Sequence, residues 1–205
     1  MRAKGSPPFD LTRSEARLLA SLTPEWRIQE YLDALVYDTK GGHCRSPRRV
    51  IRDQECQCMD GALFAAAALR VQGRKPWILD LEAEQDDDHV LAVFKTKQGW
   101  GGIGRSNYSG LRYREPVYRT IRELVMSYFE WYFNLRREKT LRAYSRPLDL
   151  SRFDRIRWMT SEEDLWDIPH HLVHIPHTTI ATRATIRTYS RVDPRLFAAG
   201  LVGRR

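Results

Sequence analysis

The central motif of the chain is the run CMDGALFAAAALRVQG at residues 58–73. The run is rich in alanine and apolar on nearly every face, a pattern that is typical of a helix buried on all sides. Gly73 follows the last apolar turn, and glycine readily takes the left-handed conformation in which many helices end. The sequence therefore predicts a buried helix that begins at Cys58 and is closed by Gly73.

After Pro76 the apolar pattern changes from that of a helix to that of strands. Three short apolar runs cover positions 77–81, 89–94 and 100–103, each of a length typical of a strand. Lys97-Gln98-Gly99 stands between the last two runs and predicts the turn of a hairpin. The expected fold class is therefore α+β, in which the buried cysteine helix packs on an antiparallel sheet, with additional helices around this core.

Composition divides the chain into three segments. Residues 1–9 are expected to be a flexible leader, because glycine, serine and two prolines follow one another there. Residues 10–115 are expected to form the core, which begins with a helix after Thr12. Residues 116–205 are expected to be an extension of helices and strands that packs on this core.

Outside the central motif, four further segments have recognisable patterns. The polar, arginine-rich stretch 43–57 is expected to be a loop. A long amphipathic helix is expected from Pro116, because apolar residues between 117 and 132 fall on one helical stripe. A capped helix is expected near residues 161–164, and a strand at residues 178–189.

Cys58 and His89 are the candidate reactive residues. The first turn of a helix presents unpaired N–H groups and positive potential, which favour a thiolate and can hydrogen-bond an oxyanion beside it. His89 opens a predicted strand directly after an acidic stretch at residues 82–88, and neighbouring carboxylates are expected to favour its protonated form. The two residues are therefore predicted to form a thiolate–imidazolium pair for nucleophilic attack.

The order of these features resembles that of transglutaminase-like proteins. The matching residues are Cys-x-Asp-x-Ala at 58–62, Leu-Arg-x-x-Gly at 69–73, His89 at the head of an apolar strand, and Trp-x-x-Ile at 100–103. The resemblance covers roughly residues 44–107 and implies a papain-like fold. It also implies a cysteine hydrolase or acyltransferase that acts on an amide, isopeptide or related acyl bond of a peptide or protein, without a cofactor.

The third catalytic residue is where the chain departs from that pattern. The family usually has an aspartate shortly after the tryptophan of the third strand, a place that Gly104 takes here. An asparagine carbonyl can accept a hydrogen bond from the histidine ring, as in papain-like triads. Asn107 is therefore the candidate third catalytic residue, with Ser106 and the run Asp86–Asp88 as alternatives.

Two groups of histidine and cysteine residues invite comparison with metal sites. The first group consists of His43, Cys44, Cys56 and Cys58, and the second consists of His170, His171, His174 and His177. The spacing of the first group fits a zinc site poorly, since zinc cysteines normally stand two to four residues apart. In the second group prolines interrupt any continuous helix, and no carboxylate has the spacing of a His-Glu-x-x-His motif. No metal is expected at either, and the four histidines are expected to form a polar helix end or to line the cleft.

The charge of the chain leaves a second class of function open. Lysine and arginine number 34 against 26 aspartate and glutamate residues, a formal net charge of +8. This excess is expected to keep the surface soluble, and its spread along the chain does not favour nucleic-acid binding. Because Gly104 replaces the expected aspartate, the alternative is an inactive transglutaminase-like fold that binds an acidic partner through its basic surface.

The expected location is the cytoplasm. The first eight residues contain two basic side chains but no apolar run behind them, so a secretory signal is not expected. No apolar run approaches the roughly 20 residues that a bilayer span needs. The three cysteines are an odd number, which favours free thiols in a reducing compartment over a disulfide scaffold.

Overall fold

The computed structural model describes residues 8–204. Residues 1–7 of the predicted flexible leader lie outside the described residues. The rest of that leader is not a free segment, because Pro8–Asp10 forms a 3-10 turn in which Phe9 packs against the core.

Helices and short strands alternate along the described chain. Its helices are α1 (Arg13–Ser21), α2 (Trp26–Ala34), α3 (Pro47–Asp53), α4 (Cys58–Val71), α5 (Ile121–Met126), α6 (Asp167–His174), α7 (Arg183–Ile186) and α8 (Pro194–Gly200). Its strands are β1 (Val36–Tyr37), β2 (Glu55–Cys56), β3 (Trp77–Ala83), β4 (His89–Lys95), β5 (Trp100–Gly104), β6 (Arg114–Tyr118), β7 (Leu141–Ser145), β8 (Leu148–Asp149) and β9 (His177–Thr179).

One large antiparallel sheet organises the molecule. Within residues 8–204 it has seven strands, in the order β6-β5-β4-β3-β7-β9, with β8 also paired to β3. The predicted hairpin of β4 and β5 is confirmed, with Leu91 opposite Gly104. The fold is thus a mixed α and β fold with a large antiparallel sheet, and strands from beyond residue 116 extend the same sheet as β3 to β5.

Helix α4 confirms the predicted buried helix. It begins at Cys58, and every residue from Met59 to Leu69 is buried. Gly73 follows the helix with a φ of +84°, the conformation that glycine adopts most easily. Gly61 permits close packing, because a Cβ at this position would lie 2.5 Å from the Cβ of Arg105.

The alternation of side chains along β4 gives the sheet two buried faces. Val90, Ala92 and Phe94 pack in the cluster that contains α4. Leu91 and Val93 pack on the opposite face, in a cluster that includes aromatic residues following α5. The start of β4 and the start of α4 are thereby brought to the same end of the core.

The predicted long helix from Pro116 is wrong. Pro116 lies within β6, because the edge of β5 offers a pairing partner and Trp100 stands opposite Tyr118. The helix that follows is only six residues long. It begins after Thr120, whose side chain accepts a hydrogen bond from the backbone N–H of Glu123 and so caps the helix.

Three other expectations differ from the structure. The segment 43–57 is not a loop throughout, since α3 begins after Ser46, which caps it, with proline at the first helical position. Near residues 161–164 Ser161 holds a turn instead, accepting from the N–H of Glu163, and the helix begins at Asp167. The predicted strand at 178–189 is reduced to β9, followed by α7.

Candidate functional site

A cleft of about 660 Å³ contains both candidate reactive residues. Cys58 lies at the start of α4 and His89 at the start of β4. The remaining walls are residues 37–41, Gln57, residues 86–88, residues 106–108 with Leu111, and Tyr132, Phe133 and Arg204. The structure therefore brings Cys58 and His89 into one cavity with Ser106, Asn107 and the acidic run.

The sulfur of Cys58 lies against the beginning of β4. Its side chain is partly exposed, and it receives backbone hydrogen bonds from Val90, the residue directly after His89, and from Met59. These bonds lower the pKa of the thiol, but burial outweighs them and raises that pKa to about 11, with Asp60 adding to the rise. Cys58 is therefore a neutral thiol at pH 7.

A buried carboxylate fixes the first turn of α4. Asp60 accepts hydrogen bonds from the N–H of Gln57 at 3.2 Å and from the N–H of Arg45 at 2.7 Å. Burial raises the pKa of Asp60 to about 6. The same carboxylate that caps the helix therefore disfavours negative charge on the neighbouring thiol.

Arg45 ties this helix start to a wall of the cleft. Its guanidinium Nη1 donates to Asp38 Oδ2 at 2.7 Å and to Asp60 Oδ2 at 3.3 Å, and its Nη2 donates to Glu55 Oε2 at 3.2 Å. Asp38 in turn accepts from the backbone N–H groups of Lys40 and Gly41 through its other oxygen. One buried arginine thus positions both the loop at 37–41 and the residue that carries the thiol.

The ring of His89 is buried and held by one main-chain contact. Its Nε2 lies 3.1 Å from the carbonyl oxygen of Leu111. Because a carbonyl can only accept, Nε2 carries the proton, and Nδ1 holds the lone pair. Nδ1 has no hydrogen-bond partner in the part of the chain that the structure describes, so it is the nitrogen available for proton transfer.

The expected thiolate–imidazolium pair is wrong for the resting site. Burial lowers the pKa of His89 to about 4, which outweighs the opposing effect of the Leu111 carbonyl. The acidic run does not hold the ring in its charged form. Cys58 and His89 therefore form a neutral thiol and a neutral imidazole at pH 7.

Gly104 makes the contact between His89 and Leu111 possible. A Cβ at position 104 would lie 2.9 Å from His89 Nε2, 2.6 Å from Leu91 Cδ2 and 3.0 Å from the Leu111 carbonyl oxygen. The backbone of Gly104 is fixed by Gln29, whose side-chain amide bonds both its N–H and its carbonyl. The space that a side chain at position 104 would need is thus filled by the histidine ring, Leu91 and a main-chain carbonyl.

The predicted third residues line the cleft, but the partner of His89 Nε2 is Leu111. Ser106 Oγ accepts from the N–H of Tyr108 at 2.9 Å. Within the acidic run, Asp86 accepts from Thr140 Oγ1 at 2.7 Å, and Asp88 accepts from the N–H of Ala83 at 2.7 Å. Asn107 lines the cleft beside them. Sequence reasoning could not find Leu111, since a main-chain carbonyl has no signature in side-chain chemistry.

The two histidine and cysteine groups are dispersed. Among residues 8–204, no group of three or more His, Cys, Asp or Glu side chains is arranged to hold a metal ion. His43 pairs with Asp164 at 3.2 Å, while Cys44 and Cys56 are buried. Burial raises the pKa of Cys56 to about 12 and that of Cys44 further, so neither thiol competes with Cys58 in reactivity.

His177, the last of the second histidine group, meets a buried carboxylate. Its Nε2 lies 3.1 Å from Asp80 Oδ2, and its Nδ1 lies 2.7 Å from the carbonyl oxygen of Ile175. Burial raises the pKa of Asp80 to about 6, while the contact with His177 lowers it. This pair joins β9 to the middle of the sheet and lies outside the walls of the cleft.

No protein-family model matches the chain, and no curated protein matches it. Within the described residues, every helix falls short of the length and apolar character that a membrane span requires.

Proposed function

We propose that this chain is a transglutaminase-like cysteine hydrolase or acyltransferase, with Cys58 as nucleophile and His89 as general base and acid. The observation that carries the proposal is the arrangement of the His89 ring. Its Nε2–H is fixed on the Leu111 carbonyl, its Nδ1 has no hydrogen-bond partner among the described residues, and the ring lines the same cleft as Cys58. The sulfur lies against the amide that directly follows His89, which supports the pairing.

The proposed reaction begins from the neutral pair. Cys58 attacks the acyl carbonyl while His89 Nδ1 takes the thiol proton, and the imidazolium then gives that proton to the leaving amine. The positive potential at the start of α4 stabilises the oxyanion that forms beside the sulfur. Water resolves the acyl-enzyme in a hydrolase, and a second amine resolves it in an acyltransferase.

The Leu111 carbonyl takes the role that an aspartate or asparagine has in related triads. By accepting from Nε2 it selects the tautomer in which Nδ1 is basic, and it orients the ring. A neutral carbonyl stabilises the developing imidazolium less than a carboxylate does. We therefore expect a slower acyl transfer than a carboxylate triad gives, on a peptide or protein acyl substrate.

Acylation of Cys58 by p-nitrophenyl acetate tests this proposal, because the acetyl group can be located by mass spectrometry. We expect acetylation at Cys58 and none at Cys44 or Cys56, which are fully buried. Loss of a general base typically costs about 10²–10⁴ in rate, so His89→Ala should slow acylation by at least about 100-fold. His43→Ala removes a histidine outside the cleft and serves as the matched control.

An equal rate in the His89→Ala and His43→Ala variants would refute the mechanism. Absence of acetyl at Cys58 would favour the alternative function, an inactive fold that binds an acidic partner. The raised pKa of the Cys58 thiol is the observation that favours this alternative, since it disfavours the nucleophilic thiolate.

A further inference from the structure

A second cavity lies on the other side of the loop that precedes β4. It has a volume of about 520 Å³ and is formed by residues at 84–85, 138–142 and 186–191. We call it the basic cavity. It shares no lining residue with the cleft of Cys58, and its size is within the range of small-molecule sites.

The lining of the basic cavity has an excess of positive charge. Its four cations are Lys139, Arg142, Arg187 and Arg191, and its carboxylates are Glu84 and Glu138. The net excess is two positive charges at pH 7.

Both carboxylates are already neutralised. Glu84 Oε2 accepts from Arg142 Nε at 2.9 Å. Glu138 Oε2 accepts from Arg136 Nε at 2.9 Å, and Arg136 does not line the cavity. Among the cations, Lys139 is neutralised in the same way, by Glu130 at 2.8 Å.

Two arginines are left without a carboxylate. Arg191 Nη1 donates to the carbonyl oxygen of Arg136 at 3.0 Å; its charge acts on Glu138, whose carboxylate is already paired with Arg136. Arg187 is exposed and has no hydrogen-bond or ion-pair partner anywhere in residues 8–204. Both guanidinium groups stand on the same segment, beside the side chains of Tyr189 and Ser190.

We propose that the basic cavity binds a small molecule that carries a phosphate group. Two guanidinium groups that form no close ion pair within the described residues match the charge of a phosphate monoester, whose oxygens accept the paired donors of arginine. Hydroxyl donors of Tyr189 and Ser190 flank them, and the ring of Tyr189 is packed on Phe129 at 5.6 Å. This inference does not rest on the proposed cysteine chemistry.

The test is a titration of the full-length, ¹⁵N-labelled chain with phenyl phosphate at constant ionic strength. We expect saturable chemical-shift changes in the backbone amides of residues 186–191. The variant Arg187→Ala/Arg191→Ala should bind at least about tenfold more weakly, since charge-assisted hydrogen bonds are lost. The matched control, Arg119→Ala/Arg122→Ala, removes two exposed arginines outside the cavity and should keep the affinity of the unaltered chain.

Several outcomes would overturn the proposal. They are the absence of saturable shifts at 186–191, equal weakening in both double variants, or unchanged affinity after loss of Arg187 and Arg191. Benzoate binding as tightly as phenyl phosphate would also overturn it, because the site would then select any anion. If the alanine variant does not fold, Arg187→Lys/Arg191→Lys replaces it, since lysine keeps the charge and loses the paired donors.

Discussion

Two histidines on different strands of the sheet, the buried His89 and the partly buried His177, are held in nearly the same way and differ in the contacts of the second ring nitrogen. His89 gives Nε2 to the carbonyl of Leu111 at 3.1 Å, and His177 gives Nδ1 to the carbonyl of Ile175 at 2.7 Å. The second nitrogen of His177 meets Asp80 at 3.1 Å, whereas that of His89 has no partner in the described chain. An imidazole ring with both nitrogens in hydrogen bonds has a structural role only. A ring with one nitrogen that has no hydrogen-bond partner can accept and donate a proton.

The two rings also differ in their acidic neighbours. His177 contacts two oxygen acceptors, the Ile175 carbonyl and the Asp80 carboxylate. His89 has no carboxylate partner among the described residues, and burial lowers its pKa to about 4. The difference therefore comes from the single carboxylate that β3 places beside β9.

Removal of His177 is expected to have the largest effect on stability. His177→Ala leaves the Asp80 carboxylate, whose side chain is 3% exposed, without its partner. Breaking a buried pair in this way typically costs about 3–5 kcal/mol in free energy of unfolding. Chemical denaturation measures this loss, and His174→Ala, which removes an exposed histidine, should change stability by less than about 0.5 kcal/mol.

The same variant sharpens the contrast in chemistry. Folded His177→Ala should still be acylated at Cys58 at a rate close to that of the unaltered chain, because His177 does not line the cleft. Slow acylation of this variant under conditions where it is fully folded would show that His177 also contributes to the reactivity of Cys58.

The stability contributed by neutral His89 should depend on pH. Burial lowers its pKa from 6.5 to about 4, so the unfolded chain binds the proton more tightly than the folded chain. Its contribution is therefore fully present above pH 6.5 and is lost as the pH falls from 6.5 to about 4. A shift of this size corresponds to at most about 3 kcal/mol.

Two carboxylates act in the opposite direction over part of this range. Burial raises the pKa of Asp60 and that of Asp80 to about 6, so their contributions decrease stability as the pH rises. The measurement is therefore the difference in free energy of unfolding between the unaltered chain and His89→Gln, in which both carboxylates remain. A difference that does not change between pH 7 and pH 4 would mean that folding does not lower the pKa of His89.

Substitution of Gly104 is expected to have the smallest effect on stability and a specific effect on reactivity. Gly104→Ala places a Cβ 2.9 Å from His89 Nε2, and such overpacking typically costs about 1–3 kcal/mol. The ring must move away from the Leu111 carbonyl, so acylation of Cys58 should slow. Gly104→Asp, the change that the family resemblance suggests as a repair, should slow it further because the larger side chain displaces the ring more.

Gly102 on the same strand provides the matched control. Its added Cβ would lie 2.9 Å from the hydroxyl of Tyr128 and not against the histidine. Gly102→Ala should therefore lose comparable stability and keep the acylation rate. If both variants lose acylation equally, the effect is a general one on the strand and not a displacement of His89.

The parts of the fold that could be predicted are the helices and strands that the local pattern of apolar residues determines. An apolar stretch such as 58–71 must be buried whatever surrounds it, and the runs that became β3, β4 and β5 alternate with clear turns. The prediction for the segment after residue 110 was wrong because the structure of this segment depends on strand pairing with a distant part of the chain. The stripe at 117–132 is consistent with a helix, but Tyr118 pairs with Trp100, and no local signal reports that contact.

The candidate site was predictable in its side chains and not in its main chain. The order of Cys58 and His89 along the chain predicted that the two side chains lie in one site, and both line one cleft. The contact of the Leu111 carbonyl with His89 could not be predicted, because the turn that positions this carbonyl has no distinctive sequence pattern. The neutral state of the pair was also missed, since the degree of burial that sets both pKa values depends on the whole core.

The burial of α4 has a consequence for how this protein can change during evolution. Because all residues from Met59 to Leu69 are buried, a larger side chain along the helix strains the core and shifts the sulfur at its first residue. The loops at 37–41 and 106–111 form cleft walls, and loops tolerate substitution and insertion. Sequence drift should therefore collect in the side chains of those walls, while the position of the Cys58 thiol is kept.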